Sequence, residues 1–225
     1  MFWVVRPGLF RQIVKRSVFT GAVLGIEGPD DRARALALAA RRVPAAGHLA
    51  FALRGREGEE QVSDAGEPAG TAGRPLLELI RRRNLEHAII IVARQYGGIN
   101  LGRPGLLRAY LSAGEGALSA TGLEEPVPLL PIRLSLQYAQ YEAFRHQFPD
   151  LAAEDSTVVF SDVVAVEGRA RAADWPRLQA FAADHGDAVR LERGEPLLAT
   201  RSPRSILEWP ERPGHTGEHE RGERV

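Results

Sequence analysis

The chain has 225 residues, 44 % of them hydrophobic, and it contains no cysteine. A chain of this length forms one large domain or two small ones, and the lack of cysteine excludes disulfides and thiolate metal sites. The 29 basic residues balance the 29 acidic ones, which argues against a protein that binds polyanions through its overall charge. No segment approaches the ~20 apolar residues of a membrane helix, and the apolar start is too short for a signal peptide, so we expect a soluble cytoplasmic protein without membrane contact.

The first 125 residues carry the patterns of an α+β domain. The continuous apolar run over residues 88–93, rich in isoleucine, predicts a buried central strand. Residues 55–70 are polar and glycine-rich, and they are predicted to be loop. The predicted elements, in chain order, are a strand over 17–26, a helix from Asp30 or Asp31 to Arg42, a strand over 48–54, a helix over 76–83, a strand over 87–94 and a helix over 105–120.

Three prolines between positions 126 and 131 predict a stiff linker over residues 126–131, without regular structure, and we place the domain boundary there. Residues 132–200 then follow a strand-helix-strand-strand-helix-strand order, which is the ferredoxin-like pattern. Residues 201–225 are polar and rich in Pro, Gly, Glu and Arg. We expect this tail to be disordered.

Two glycine-rich segments, residues 63–75 and 94–110, each lead into a predicted helix. Glycine allows tight turns and close approach to a ligand, and a helix start offers free N–H groups with partial positive charge. Residues 71–110 hold seven arginines against two glutamates, a net charge of +5. The segments therefore predict a surface for phosphate or RNA. The candidate ligand-binding residues are Asp64, Gly66, Glu67, Gly70, Thr71, Gly73, Arg74, Arg94, Gly97, Gly98, Gly102, Arg103 and Arg108.

Other chemistries have less support in these segments. Neither segment has the lysine and following hydroxyl of a P-loop, and the glycine spacing over 97–102 does not match the dinucleotide fingerprint. Asp64 and Glu67, with His48, leave open an acid–base or metal site, but spacing within a loop fixes no geometry. We therefore assign no catalytic or metal-binding residue, expect no cofactor and favour a non-enzymatic protein.

The same segments resemble the signatures of a known family. Residues 63–75 resemble the S-D-D-G-E-P-x-G-T-A-G-K-P signature of the YigZ/IMPACT family, and residues 94–110 resemble its second signature, R-Y-F-G-G-I-K-L-G-T-G-G-L-V-R-A-Y. Residues 14–19 look like its first-strand motif K-K-S-R-F, and His48 falls where the family places a histidine. Ala65 replaces an aspartate of the first signature, which weakens a carboxylate site, whereas Arg74 keeps the charge of a usual lysine.

The resemblance implies a fold and a set of functions. It implies that residues 1–125 share the α+β fold of the second domain of a small-subunit ribosomal protein, and that residues 132–200 resemble the last domain of elongation factor G. Eukaryotic members of the family regulate translation by competing for the activator of a stress kinase. We therefore expect a translation-associated regulator that binds RNA or the ribosome. The alternatives are a protein–protein interaction module in translational stress regulation and an enzyme acting on a phosphorylated small molecule.

Overall fold

The structure is a computed structural model that describes residues 1–28, 30–55, 58–151, 156–200 and Trp209. It is a mixed α+β protein, as the sequence predicts. The chain divides into two compact units, one formed by residues 1–125 together with Trp209 and the other beginning at Pro126. Within these residues, no helix is long and apolar enough to span a membrane.

The first unit is built around a five-stranded antiparallel sheet. Its elements are β1 (Trp3–Arg6), β2 (Gly8–Val14), β3 (Ser17–Gly25), α1 (Asp31–Arg42), β4 (His48–Arg54), β5 (Glu60–Ser63), α2 (Gly73–Arg82), β6 (Ala88–Gln95), α3 (Gly102–Ser119) and β7 (Gly122–Glu124). The strand order is β2-β3-β6-β4-β5, so β6 is the central strand that the sequence predicts. β1 and β7 form a separate antiparallel pair that joins the two ends of this unit.

Helices cover both faces of this sheet. Successive side chains of a strand point to opposite faces, so Ile90 and Val92 of β6 pack with α2 and α3, whereas Ile89 and Ile91 pack with α1. Trp209 packs against the same cluster as α1. Because both faces are covered, β6 is apolar from Ala88 to Ala93 rather than alternating in polarity.

The predicted loop over residues 55–70 is partly wrong. Residues 60–63 form β5, which pairs with β4 at the edge of the sheet. An edge strand pairs with a neighbour on one side only and does not have to be apolar. The residues of β5 are mostly polar, so a hydrophobicity pattern does not reveal the strand. The strand β2, which pairs with β3 along its whole length, was likewise absent from the predicted elements.

The second unit has the predicted strand-helix-strand-strand-helix-strand order, followed by one further short strand. Its elements are β8 (Val127–Leu136), α4 (Tyr138–Gln147), β9 (Thr157–Phe160), β10 (Val164–Arg171), α5 (Trp175–His185), β11 (Val189–Arg193) and β12 (Leu197–Ala199). The antiparallel sheet has the order β11-β8-β10-β9, and β12 pairs with the first part of β8. Its apolar side chains pack with α4 and α5 around Phe144 and Phe181.

The predicted linker over residues 126–131 is also wrong, because β8 begins at Val127 and includes Pro128 and Pro131. Proline lacks an N–H, but its carbonyl still accepts a hydrogen bond, as the Pro131 carbonyl does from the Gly194 amide at 2.8 Å. Both prolines therefore lie within paired backbone rather than in a linker. The predicted disorder of residues 201–225 concerns residues outside the described part of the chain, apart from Trp209.

Candidate functional site

A buried ion pair connects the two glycine-rich segments. Arg94, near the end of β6, donates from Nη1 to Oε1 of Glu67 at 2.7 Å, and the two side chains are 6 % and 4 % exposed. Tyr110 of α3 donates its hydroxyl to the same oxygen at 2.8 Å. The first segment is thus tied to the sheet and to α3 through one carboxylate. Arg94 and Glu67, both predicted to bind a ligand, bind each other in the interior.

Tyr110 supplies the polar partner that the sequence analysis did not anticipate. Its place on the apolar stripe of α3 indicates a core residue, and its ring is fully buried against Phe19 with centroids 5.2 Å apart. Burial raises the pKa of the Tyr110 hydroxyl far above its ordinary value, and the hydrogen bond to Glu67 raises it further. The signal that could have revealed this contact is that a buried tyrosine hydroxyl normally needs a hydrogen-bond partner.

The side chain of Asp64 caps the start of α2. Its Oδ2 accepts from the Gly70 amide at 2.8 Å, and its Oδ1 accepts from the Ala72 and Gly73 amides at 2.9 Å each. Burial alone would raise the pKa of this carboxyl, but the three amides outweigh it and hold the pKa below its ordinary value. The amides at this helix start, which the sequence analysis offered to an anionic ligand, are bound by a carboxylate of the chain itself.

The predicted glycines shape the backbone of both segments. A side chain at Gly73 would lie 2.9 Å from the Ser63 amide, and one at Gly97 would overlap the Arg16 carbonyl group. The remaining four adopt the left-handed conformation that glycine favours, and they are Gly66, Gly70, Gly98 and Gly102. Thr71 is buried, and both its hydroxyl and its amide donate to the Pro68 carbonyl. These residues account for the turns and close contacts of the two segments.

Ser17, at the start of β3, was not singled out from the sequence. Its hydroxyl oxygen accepts from the Gly97 amide at 3.1 Å and lies 3.5 Å from Nη2 of Arg94. The signal that could have revealed it is the resemblance of residues 14–19 to the motif K-K-S-R-F, in which Ser17 matches the serine. Ser17 fastens the second glycine-rich segment to β3 beside the turn that contains Lys15 and Arg16.

The predicted arginines separate into buried and exposed groups. Arg94 is buried, whereas Arg74, Arg103 and Arg108 are exposed, the first on α2 and the other two on α3. Arg103 donates to the Ala69 carbonyl at 2.7 Å and so links the two segments at the surface. Arg74 also lines a shallow groove of about 330 Å³ beside Leu107. We name Arg74, Arg103 and Arg108 the arginine surface.

His48 has a hydrogen-bonding role at the first segment. Its Nδ1 lies 2.8 Å from the Ala65 carbonyl, to which it donates. The residues described by the structure contain no cluster of three or more His, Asp or Glu side chains that could hold a metal ion. For the acid–base or metal alternative, this means that each of its three residues, Asp64, Glu67 and His48, is already hydrogen-bonded to another part of the chain.

Comparison with known proteins gives a family match that spans both glycine-rich segments. Residues 15–118 match the Impact N-terminal domain. An IMPACT family member of Haemophilus influenzae is 33 % identical over 136 residues, which cover 59 % of this chain and 66 % of that protein. IMPACT family member YigZ of Escherichia coli is 40 % identical over 78 residues, which cover 35 % of this chain and 38 % of the relative. The chain thus matches less than two thirds of the length of either relative.

The similarity to a solved structure extends over both units. A crystal structure of a hypothetical protein covers 86 % of this chain and 98 % of its own, with 25 % identity and a TM-score of 0.57. The Impact N-terminal match covers most of the first unit, including the Glu67–Arg94 pair, the Asp64 contacts and the arginine surface. On these matches, residues 15–118 belong to the Impact N-terminal domain family, and the chain is similar to IMPACT family members.

Proposed function

We propose that this protein is a non-enzymatic, translation-associated regulator that binds RNA or the ribosome through the arginine surface. The observation that carries the proposal is that Arg74, Arg103 and Arg108 are exposed and form no ion pair with any residue the structure describes. An arginine without an acidic partner keeps its planar set of donors available for phosphate.

The start of α3 adds to this support. The first amides of α2 are bound by Asp64, whereas no side chain that the structure describes accepts a hydrogen bond from the first amides of α3. Arg103 lies in the first turn of α3 and Arg108 lies one to two turns further on. The partial positive charge of this helix end and the two arginines together favour a phosphate group.

The contacts of the loop carboxylates favour binding over catalysis. A catalytic carboxylate must reach the substrate, but Asp64 caps α2 and Glu67 is buried against Arg94 and Tyr110. The link to translation comes from the family resemblance rather than from a contact in this chain, and a role in translation would be exercised in the cytoplasm.

Co-sedimentation with ribosomal subunits and 70S particles, from about 50 to 200 mM salt, tests the proposal. The test variant is Arg74→Ala/Arg108→Ala. The control is Arg41→Ala/Arg42→Ala, which removes the same charge from the end of α1, on the opposite face of the sheet. We expect the wild type and the control to pellet at low salt and to be released as salt rises, and we expect the test variant to pellet several-fold less.

Equal loss of pelleting in the test variant and the control would contradict the arginine surface as the contact. Pelleting that does not change with salt would contradict phosphate binding as its basis, because counterion release makes such binding weaken steeply with salt. Absence of pelleting at low salt would reject the ribosome as a partner and favour the protein–protein interaction alternative.

A further inference from the structure

We infer that the ring of Tyr96 is a stacking platform for an unpaired base of single-stranded RNA. The inference rests on the proposed function, because it names the form of nucleic acid that binds beside the arginine surface. Tyr96 is the first residue after β6, where the second glycine-rich segment leaves the sheet. The residue is 54 % exposed.

The ring has one covered face and one open face. The Arg94 guanidinium carbon lies 5.2 Å from the ring centroid, and Arg94 itself is buried and held by Glu67. At the edge of the ring, the Tyr96 hydroxyl donates to Oδ1 of Asn100 at 3.2 Å. Because Arg94 lies over one face, the opposite face is the one that a ligand would contact. The ring is therefore held in place before any ligand arrives.

The charge beneath the ring determines what stacks best on its open face. A cation on one face of an aromatic ring is attracted by the negative charge of the π-system. The outer face is therefore less attractive to a second cation. An electron-rich base is a better partner for such a face than a lysine or arginine from a protein. Stacking on aromatic rings is a general means by which proteins hold single strands, and purines offer the larger surface.

Two basic residues that could bind the neighbouring phosphates lie on the turn that contacts Gly97, the residue after Tyr96. The backbone of Arg16 approaches Gly97 so closely that any side chain at Gly97 would overlap it. Lys15 and Arg16 are exposed at this turn and have no ion-pair partner in the part of the chain that is described. A ring next to such cations suits a strand whose base and phosphate are both accessible. In a duplex the base faces are already stacked, so they cannot reach the ring.

A purely structural role for Tyr96 makes different predictions. If the ring only shields the Glu67–Arg94 pair from water, its removal changes stability and leaves any effect on RNA independent of the bases. If the ring is a stacking platform, its removal matters only for a ligand that carries bases. The decisive comparison is therefore between strands that have the same phosphates, with and without bases.

The experiment measures fluorescence anisotropy of a labelled oligoadenylate of about 12 nucleotides and of an abasic strand of equal length. Wild type, Tyr96→Leu and Tyr96→Phe are compared in the full chain over a salt series. We expect Tyr96→Leu to weaken oligoadenylate binding about 5- to 100-fold and to leave abasic binding unchanged. Tyr96→Phe should retain the wild-type affinity. The salt dependence should be the same for all three proteins, because no charge is removed.

The wild type alone provides a further test that does not depend on a folded variant. We expect it to bind oligoadenylate more tightly than both the abasic strand and an RNA duplex of equal length. Equal affinity for oligoadenylate and the abasic strand, or equal weakening of both by Tyr96→Leu, would overturn the stacking platform and leave the arginine surface intact. Failure to bind any of these strands at low salt would overturn the stacking platform, whereas the proposed function is decided separately by co-sedimentation with ribosomes.

Discussion

Nη1 of Arg94 lies 2.7 Å from Oε1 of Glu67, and both side chains are buried. The two residues are 27 positions apart in the chain and belong to different glycine-rich segments. Charges removed from water are stable only when they are paired and hydrogen-bonded, and here Tyr110 provides the additional donor. The pair therefore fixes one segment against the other, and its Arg94 guanidinium lies against the ring of Tyr96.

Removing one partner of this pair should be far more damaging than removing both. Arg94→Met leaves the Glu67 carboxylate buried without its cation, and we expect it to lower the free energy of unfolding by about 3–5 kcal/mol. Arg94→Met/Glu67→Gln removes both charges and should recover much of that loss. Urea denaturation measures the total, and hydrogen exchange of the β6 amides assigns the change to the first unit. A cost below about 1 kcal/mol for Arg94→Met would show that the pair contributes little.

The origin of this pair shows what the sequence can and cannot predict. The apolar run of β6 predicts a buried strand because the signal for burial is a set of consecutive apolar residues. Arg94 at the end of that run was predicted to face a ligand, since nothing local indicates that a carboxylate 27 residues earlier lies opposite it. The pairing depends on the turn of the first segment and on the position of α3, both of which are set by tertiary packing.

Asp64 should stabilise the first unit in a manner that depends on pH. Its pKa in the folded protein is held below the ordinary value of about 3.9, so its contribution is present above pH 4 and is lost as pH falls through the folded pKa. Asp64→Asn should lower the free energy of unfolding at pH 7 by about 1–2 kcal/mol, because an amide cannot accept from all three backbone donors. The difference from the wild type should shrink below pH 4.

The matched control is Asp30→Asn. Asp30 precedes α1, is exposed, and makes no side-chain capping hydrogen bond. Unfolding free energies of both variants and the wild type, measured from pH 7 into the acid range, check the prediction. A difference between Asp64→Asn and the wild type that stays constant in acid would show that the charged carboxylate is not the cause.

The role of Asp64 also marks a limit of reading a helix start from sequence. Glycine and proline around residue 73 predict the beginning of α2 correctly, to within a few residues. They do not reveal that the capping oxygen comes from Asp64, nine residues before Gly73, because that contact depends on the turns at Gly66 and Gly70. The same glycine and proline pattern is equally consistent with amides that are free for a ligand and with amides that are bound within the chain.

Gly97 should tolerate no side chain, although its φ is not in the left-handed region. A methyl group there would overlap the backbone of Arg16, so the turn between β2 and β3 would have to move. We expect Gly97→Ala to cost about 1–3 kcal/mol of unfolding free energy. Gly47→Ala is the control, because Gly47 has open space around it. Thermal denaturation of the two variants gives the comparison, and equal stability would contradict the close contact between the segment and the turn.

Trp209 should stabilise the α1 face of the first unit. Its side chain packs against the cluster that contains Ala35 and Ala39 of α1 and Ile89 of β6. Trp209→Ala removes this apolar contact, and we expect it to cost about 1–2 kcal/mol and to speed hydrogen exchange of the α1 amides. Trp209→Phe keeps an aromatic ring and should cost less. The second unit provides the internal reference, since exchange of the α5 amides should not change. Unaltered exchange in α1 would mean that α1 holds to the sheet without Trp209.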